Sequence, residues 1–357
     1  MSPSDERSPA HVRSGLVMTV DGAIPADGLG VTLMHEHILN DCRCWWNPPT
    51  EPERQYLAEM PVSIEILSEL RQDPFVNKHN IALDEEPLAM EELKQFVSVG
   101  GATVVDPTCI GIGRDPKALR RISKATGLNI VMGSGYYLQT SHPPELADMR
   151  VEDVADKIVR EAVDGVDRTD AKIGLIGEIG VSSDFTPDEE KSLRGAIQAQ
   201  ARTALPLMVH LPGWYRLAHR VLDIVEEEGG DIRHTVLCHM NPSHDDFAYQ
   251  SELADRGAFI EYDMIGMDYF YADQQVQCPS DDDAARAIVR LAEAGHLGRI
   301  LLSQDVFVKI MLTRYGGNGY AFVVRHFLPR LKRHGLDDAA LERLMRANPK
   351  AVFSSAG

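Results

Sequence analysis

Six side chains in this sequence have the chemistry to bind divalent metal ions. Four are histidines and two are carboxylates: His35, His37, Glu178, His210, His239 and Asp305. Neutral imidazoles and carboxylates together suit ions of the zinc type, and a carboxylate can bridge two cations. The set therefore predicts a site for two divalent ions per chain, which we expect to be zinc. Such a pair of ions is typical of hydrolytic enzymes.

The spacing of the first two histidines supports this interpretation. His35 and His37 are separated by one residue in VTLMHEH (31–37). If this segment is a strand, the alternation of side chains points both imidazoles to the same face. One such pair is more often structural than metal-binding. The further histidines and carboxylates at other strand ends make the metal interpretation the stronger one.

Short apolar runs alternate with amphipathic stretches along the chain. The strand-like runs are VTLMHEH (31–37), ATVVDP (102–107), NIVMGSG (129–135), IGLIGEIG (173–180), PLMVHL (206–211), TVLCHM (235–240), AFIEYD (258–263) and RILLSQD (299–305). Helical patterns lie between them, for example over 115–126, 187–204 and 281–295, the last ending at Gly295. Continuous apolar strands alternating with helices predict a parallel sheet covered by helices. Eight such strands predict an α/β fold that closes as a (β/α)8 TIM barrel.

Polar side chains stand at or near the carboxyl end of every predicted strand. Besides the six candidate ligands, these are Asp106, Tyr136 and Asp263. Any one of them could be a hydrogen-bonded residue at a strand–loop junction. Because barrel active sites gather at the carboxyl ends of the strands, the whole set predicts one active site there.

The remaining segments are accessory to the barrel. Residues 1–14 are expected to be a flexible amino terminus, and residues 15–357 a single domain that opens with a β-hairpin over 15–30. The span 38–101 is far longer than an ordinary connection between barrel elements, so it is an insertion after the first strand. It carries Trp45, which is expected to contact substrate if the insertion covers the site. The alternative is that Trp45 is buried in a dimer interface, and the insertion can serve partly as a cover for the site and partly as an interface.

Composition excludes several classes of function. The chain has 357 residues and a formal net charge of −18, which disfavours nucleic acid and anionic membrane surfaces as partners. No apolar run approaches the length of a membrane span. Five scattered cysteines argue against a disulfide framework and favour the cytoplasm. The expected partners are a small-molecule substrate and a second copy of the chain in a homodimer.

The motifs together resemble the phosphotriesterase-like branch of the amidohydrolase superfamily. The similar segments are VTLMHEH, IGLIGEIG, the histidines of LMVHLP and VLCHM, the aspartate of LLSQD, and GSGYY (133–137) and YGGNGY (315–320). Within the branch the chain is most similar to phosphotriesterase-related proteins, which include members described as resiniferatoxin-binding. The resemblance implies that His35, His37 and Asp305 hold the more buried metal. It implies that His210 and His239 hold the more exposed one, with Glu178 bridging the two.

The resemblance also implies a reaction. A hydroxide shared by the two ions would attack the substrate, and Asp305 would accept its proton and pass it to the leaving group. Tyr137 matches a tyrosine that points toward the substrate in relatives, although a core tyrosine is an equal alternative. Lys309 and Arg314 follow the eighth predicted strand and could bind an anionic group of the substrate, or be surface charges.

Two departures from the family pattern shape the expected substrate. Glu178 stands where phosphotriesterases carry a carboxylated lysine, and Met264 and Ile265 stand where lactonases often place a basic residue. We therefore expect a carbonyl substrate, an amide, ester or lactone, with a small N-acyl amide such as an N-acyl taurine as a candidate. The alternatives are lactonase or phosphotriesterase activity, and a ligand-binding protein that retains the hydrolase fold.

Overall fold

The computed structural model describes residues 15–354, so the predicted flexible segment 1–14 lies outside the described residues. The strands, in chain order, are β1 Leu16–Thr19, β2 Gly22–Pro25, β3 Val31–Leu33, β4 Asn40–Asp41, β5 Ala82–Leu83, β6 Gly101–Asp106, β7 Asn129–Met132, β8 Ile176–Gly180, β9 Leu207–His210, β10 Thr235–Leu237, β11 Phe259–Tyr262, β12 Phe270–Tyr271, β13 Val276–Gln277 and β14 Ile300–Leu302. Eight of them fall within the eight predicted runs or start one residue before them: β3, β6 to β11 and β14.

Helices separate these strands. They are α1 Leu67–Gln72, α2 Glu86–Ser98, α3 Pro116–Thr126, α4 Val151–Val163, α5 Pro187–Thr203, α6 Ala218–Glu227, α7 Phe247–Asp255, α8 Asp281–Glu293, α9 Leu328–Arg333, α10 Asp338–Glu342 and α11 Asn348–Phe353. None of the described helices is long and apolar enough to cross a membrane.

The eight strands are parallel and form the wall of a barrel. Strands β3, β6 and β7 pair as one array, and β8, β9, β10, β11 and β14 pair as a second in that order. Backbone hydrogen bonds join the two arrays on both sides. The amide of Gly174 donates to the carbonyl of Met132 at 3.0 Å, and the amide of Asp305 donates to the carbonyl of His35 at 3.1 Å. The predicted (β/α)8 barrel is confirmed.

Alternate residues of each strand pack on opposite sides of the wall. Val104 and Ile130 belong to the large cluster that includes the helices, whereas their neighbours Val105 and Val131 belong to a separate buried cluster. Residues in or next to the other strands belong to the same inner cluster: Met34, Leu175, Met208, Val236, Cys238, Phe259 and Leu301. Such two-sided burial explains why the strands are continuously apolar instead of alternating with polar residues.

The first and last described elements close the barrel at the amino-terminal ends of its strands. The predicted hairpin forms from β1 and β2, and its Val17 joins the inner cluster. Val352 and Phe353 of α11 join the same cluster. The opposite end, where the strands finish, is therefore the end left for a site.

The long segment after β3 divides into two parts. Helix α2 packs beside β6 and is the first helix of the barrel, so the extra chain is confined to about residues 40–85. This insertion contains α1 and a short antiparallel pair in which Asn40 lies opposite Leu83. It lies over the carboxyl ends of the strands, because its Cys42, Trp45 and Phe75 line the cavity there.

Candidate metal centre and substrate cavity

The six predicted ligand side chains lie together at the carboxyl ends of their strands, arranged around Glu178. One carboxylate oxygen, Oε1, is 3.4 Å from Nε2 of His37. The other, Oε2, is 3.1 Å from Nδ1 of His210 and 3.3 Å from Nε2 of His239. It is also 3.6 Å from Nε2 of His35. Glu178 therefore faces all four imidazoles from a central position.

Further contacts join these side chains around Glu178. Oδ1 of Asp305 lies 3.5 Å from Nε2 of His37 and 3.7 Å from Nε2 of His35. Nε2 of His239 lies 2.7 Å from Nδ1 of His210, and the ring of His239 is 5.3 Å from that of His35 between centroids. The assignment of these side chains as metal ligands stays a prediction.

The donor atoms themselves fit a cation. Nδ1 of His35 is 3.2 Å from the Glu261 carboxylate, and a neutral ring that donates its Nδ1 proton there keeps a lone pair on Nε2 for a cation. That Nε2 is buried and has no hydrogen-bond partner among the described residues. It faces the carboxylates of Glu178 and Asp305, which also carry lone pairs. Converging lone pairs repel one another unless a cation lies among them, and grouped His, Glu and Asp atoms here are close enough to hold a metal.

Charge and burial compete at these groups. Burial by itself lowers the pKa of His35, but the charge of Glu178 and other neighbours raises it well above its usual value. Burial raises the pKa of Asp305 to about 6, against the opposing effect of the neighbouring imidazoles His35 and His239.

A layer of hydrogen-bonding groups behind the imidazoles orients them. The carboxylate of Asp263 accepts from the backbone amide of His239 at 2.8 Å and lies 3.1 Å from its Nδ1. The hydroxyl of Thr108 is 2.8 Å from Nδ1 of His37. Asp263 was recognisable in the sequence as a polar strand end. Thr108 and Glu261 had no such signal, because their partners are far away in the chain.

Glu36, between the two histidines of the HxH pair, is a further residue that sequence reasoning missed. Its side chain is buried, and its carboxylate accepts from the amides of Gln304 and Val306, each at 2.9 Å, and from the hydroxyl of Ser303 at 2.8 Å. These bonds hold the backbone on both sides of Asp305, whose φ of 50° is unusual for a residue other than glycine. Burial raises the pKa of Glu36 to about 8.

A cavity of about 910 Å³ opens above this centre. Tyr137 lies in its wall, with its ring 4.8 Å from that of His210 and its hydroxyl without a hydrogen-bond partner among the described residues. Gly180 permits this placement, because a Cβ there would overlap the backbone of Tyr137. Trp45 of the insertion also lines the cavity. Both were predicted to contact substrate.

Lys309 and Arg314 do not line the cavity, and this corrects the expectation that either binds an anionic substrate group. Lys309 is buried, and its ammonium group donates to the carbonyl of Ala82 at 2.5 Å and to the carboxylate of Asp84 at 2.9 Å. It therefore fastens the insertion to the barrel. Arg314 is exposed to solvent. Sequence order placed both near the eighth strand end but could not show where their side chains turn.

The chain is similar over nearly its whole length to several known proteins. Residues 15–353 match the sequence profile of the Phosphotriesterase family. A phosphotriesterase-related protein of Nematostella vectensis is 36% identical over 343 residues, covering 94% of this chain and 98% of that protein. An N-acetyltaurine hydrolase of Tetraodon nigroviridis is 36% identical over 342 residues, covering 94% and 97%. The solved structure of a resiniferatoxin-binding protein from Rhodobacter sphaeroides has 73% identity and a TM-score of 0.97, covering 99% of both chains.

Proposed function

This chain belongs to the phosphotriesterase family, and from that premise we propose that it hydrolyses a carbonyl compound, an amide, ester or lactone, at a two-metal centre. It is a metal-dependent hydrolase, as membership of the family indicates. The observation that carries the proposal is the convergence of four imidazoles on the buried carboxylate of Glu178.

In the proposed centre two zinc ions are bound. His35, His37 and Asp305 would hold the more buried one, His210 and His239 the other, and Glu178 both. Ions of this kind make water acidic enough to attack at neutral pH and polarise the oxygen of the scissile carbonyl. Glu178 is itself a carboxylate, so no added carbon dioxide is needed to complete the site.

The protein groups would then handle the proton and the substrate. Asp305 accepts the proton of the attacking water and delivers it to the leaving group, a role that suits a buried carboxylate beside the centre. The free hydroxyl of Tyr137 donates a hydrogen bond to the substrate. Asp263 and Thr108 keep His239 and His37 in the orientation that presents their other ring nitrogen to the centre.

A carbonyl bond is favoured over a phosphotriester. The relative named for N-acetyltaurine hydrolysis cleaves an amide, and the chain covers almost all of that protein. Lactone and phosphotriester hydrolysis remain the second candidate activities, because both reactions use a centre of this type. A role in ligand binding alone would not require four imidazoles and two carboxylates held at coordinating distances.

The proposal extends to the domain organisation, location, oligomeric state and partners of the protein. We propose that residues 15–357 act as one domain, and that the protein is a cytoplasmic homodimer that binds neither nucleic acid nor membrane surfaces. The net charge of −18 and the cysteines, all free, support this. Ile64 and Tyr56 of the insertion have exposed fractions of 77% and 54%, which suits an interface between copies. Light scattering coupled to size exclusion tests the dimer.

The central experiment combines metal analysis with a substrate comparison. After reconstitution in bicarbonate-free buffer, elemental analysis should find about two zinc ions per chain. The loaded protein is then assayed on lactones, N-acyl amides and a paraoxon-like triester, and the best carbonyl substrate should exceed the triester by at least about tenfold in kcat/KM. Less than one ion per chain, a strict need for bicarbonate, or fastest turnover of the triester would contradict the proposal.

A further inference from the structure

Five aromatic side chains form a continuous row along the wall of the cavity, and we call this row the aromatic arc. Its members are Tyr137, Trp45, Phe75, Tyr271 and Trp214. The arc begins at the metal centre, where the ring of Tyr137 lies beside that of His210. The ring of Trp45 is next, 6.5 Å from that of Tyr137 between centroids.

The middle of the arc is stacked. The ring centroid of Phe75 lies 5.5 Å from that of Trp45 and 5.4 Å from that of Tyr271, and the ring planes are nearly parallel in both pairs.

 Trp214 closes the row at an edge-to-face angle, 5.9 Å from Tyr271. The members come from four separate segments: the insertion supplies two, and the loops after β7, β9 and β11 supply the others. Their convergence on one wall is therefore a product of the tertiary structure.

The charged side chains that line the same cavity are all acidic, apart from histidines. No lysine or arginine is among the lining residues in the described part of the chain. Glu178 and Asp305 belong to the proposed metal centre, and the carboxylate of Glu189 is occupied by hydrogen bonds from the loops around it. Asp184 and Asp273 are exposed to solvent and have no ion-pair partner within residues 15–354. Outside the centre, the described cavity wall thus presents carboxylates and no cationic side chain to an anion.

We propose that this cavity selects carbonyl substrates that carry an aromatic acyl group and no negative charge, and that it discriminates against anionic N-acyl amides such as N-acyl taurines. The inference rests on the proposed function and narrows its substrate class. The aromatic arc would bury a planar acyl group, while the carboxylates of Asp184 and Asp273 would repel a sulfonate.

The size of the cavity agrees with this substrate class. Its volume of about 910 Å³ lies near the upper end of the range for sites that enclose drug-sized ligands. An acetyl group would leave most of the aromatic arc uncovered. An arylacyl group held at the centre could instead extend along Tyr137 and Trp45 toward Phe75.

Four N-acyl amides separate the two parts of the proposal. They are the phenylacetyl and acetyl amides of ethanolamine, which are uncharged, and the same two amides of taurine, which are anionic. In each hydrolysis the hydroxyl of water goes to the acyl carbon, the C–N bond breaks and the nitrogen takes the proton, so released amine reports turnover. With zinc-loaded protein we expect kcat/KM to favour phenylacetyl over acetyl, and ethanolamine over taurine, by at least about tenfold each.

Paired variants assign these preferences to the wall. Trp45→Leu should lower kcat/KM for the phenylacetyl amide by about tenfold and leave the acetyl amide within about twofold. Trp46→Leu is the matched control, because Trp46 is in the same segment but packs under Lys78 and does not line the cavity. It should change neither value. Both variants should keep the melting temperature of the wild type, so that the change in kcat/KM reports contact with the substrate and not loss of folded protein.

Charge variants test the second part. Asp273→Lys should raise kcat/KM for the phenylacetyl taurine amide at least about fivefold relative to the ethanolamine amide. Asp268→Lys makes the same change of charge in the same loop at a residue that does not line the cavity, and it should leave the ratio unchanged.

Calorimetric binding to the zinc-loaded Asp305→Asn variant keeps this inference separate from the proposed function. Binding that favours the uncharged phenylacetyl amide without any turnover by the wild type would sustain the inference and refute amide hydrolysis. Equal or tighter binding and turnover of acetyl taurine would overturn the inference while leaving the hydrolase intact. The inference also fails if Trp45→Leu and Trp46→Leu behave alike.

Discussion

Replacement of Asp263 by asparagine tests whether the carboxylates behind the imidazoles prepare them to bind metal. Asp263 is fully buried, and its two oxygens are both used by His239, one by the backbone amide at 2.8 Å and one by Nδ1 at 3.1 Å. Burial alone would raise the pKa of Asp263, but the charge and hydrogen bonds of His239 hold it well below its usual value. The side chain is therefore a carboxylate in the folded protein.

The size of the effect follows from these two bonds. Asparagine keeps one oxygen, so it can accept one of the two bonds, and its NH₂ group then opposes a donor. A hydrogen bond to a charged group contributes about 1.5–3 kcal/mol. Loss of one such bond should weaken metal binding by about 10–100-fold, which is also the usual effect of removing a partner behind a metal-bound histidine. His239 would in addition keep its φ of 58° with less support.

The assay is a competition between the protein and a zinc chelator of known affinity, with bound zinc measured at equilibrium. Asp281→Asn is the control. Asp281, the first residue of α8, likewise accepts a backbone hydrogen bond, from the amide of Gly266 at 2.7 Å, but it contacts none of the imidazoles at the centre. Its zinc affinity should equal that of the wild type. If Asp263→Asn also binds zinc within about twofold of the wild type, the argument for preorganised imidazoles is wrong.

Three further changes give distinct results. Asp305→Asn should lower kcat by at least about a hundredfold while zinc stays bound, because the amide still offers an oxygen ligand but accepts no proton; full activity would exclude Asp305 as the base. Glu161→Gln should lower the free energy of unfolding by about 3 kcal/mol at neutral pH, because it removes the carboxylate 2.7 Å from the buried Arg114 and leaves that guanidinium, among the described carboxylates, only the exposed Asp167 at 3.6 Å. Although burial raises the pKa of Glu161, Arg114 holds it below its usual value, so this stabilisation is present above the usual pKa and is lost as the pH falls through the lowered one. Urea unfolding at several pH values should therefore show the gap between variant and wild type narrowing in acid, and a constant gap would contradict the assignment. Lys309→Met should lower the melting temperature without changing KM for any substrate, and a selective rise in KM for anionic substrates would restore Lys309 to the site.

The barrel and the set of candidate ligands were predictable from the sequence because both depend on local patterns. A buried parallel strand must be apolar on both sides, so its run of residues is visible without knowledge of its neighbours. The side-chain alternation that brings His35 and His37 to one face acts over two residues. Barrel closure then brings the other strand ends, with Glu178, His210 and His239, to the same place. This holds whichever path the connecting loops take.

The groups behind the ligands and the wall of the cavity were not predictable in this way. Glu36 binds the backbone on both sides of Asp305 because the first and last barrel strands meet, although Glu36 and Val306 are 270 residues apart in the chain. Phe75 and Tyr271 stack although one comes from the insertion and the other from the loop after β11. No local pattern records such a pair, because loop paths depend on packing against the rest of the molecule.

For Lys309, the position of the backbone was predictable from the sequence but the direction of the side chain was not. Its position after the last strand is a matter of sequence order, which correctly places its backbone near the carboxyl end of the barrel. The direction of its side chain depends on where an ammonium group finds acceptors once water is excluded, and those acceptors are Ala82 and Asp84 of the insertion. The sequence alone thus determined the barrel and the chemistry of its strand ends. The tertiary structure decided which charges and aromatic rings face the substrate, because that choice depends on contacts between segments distant in the chain.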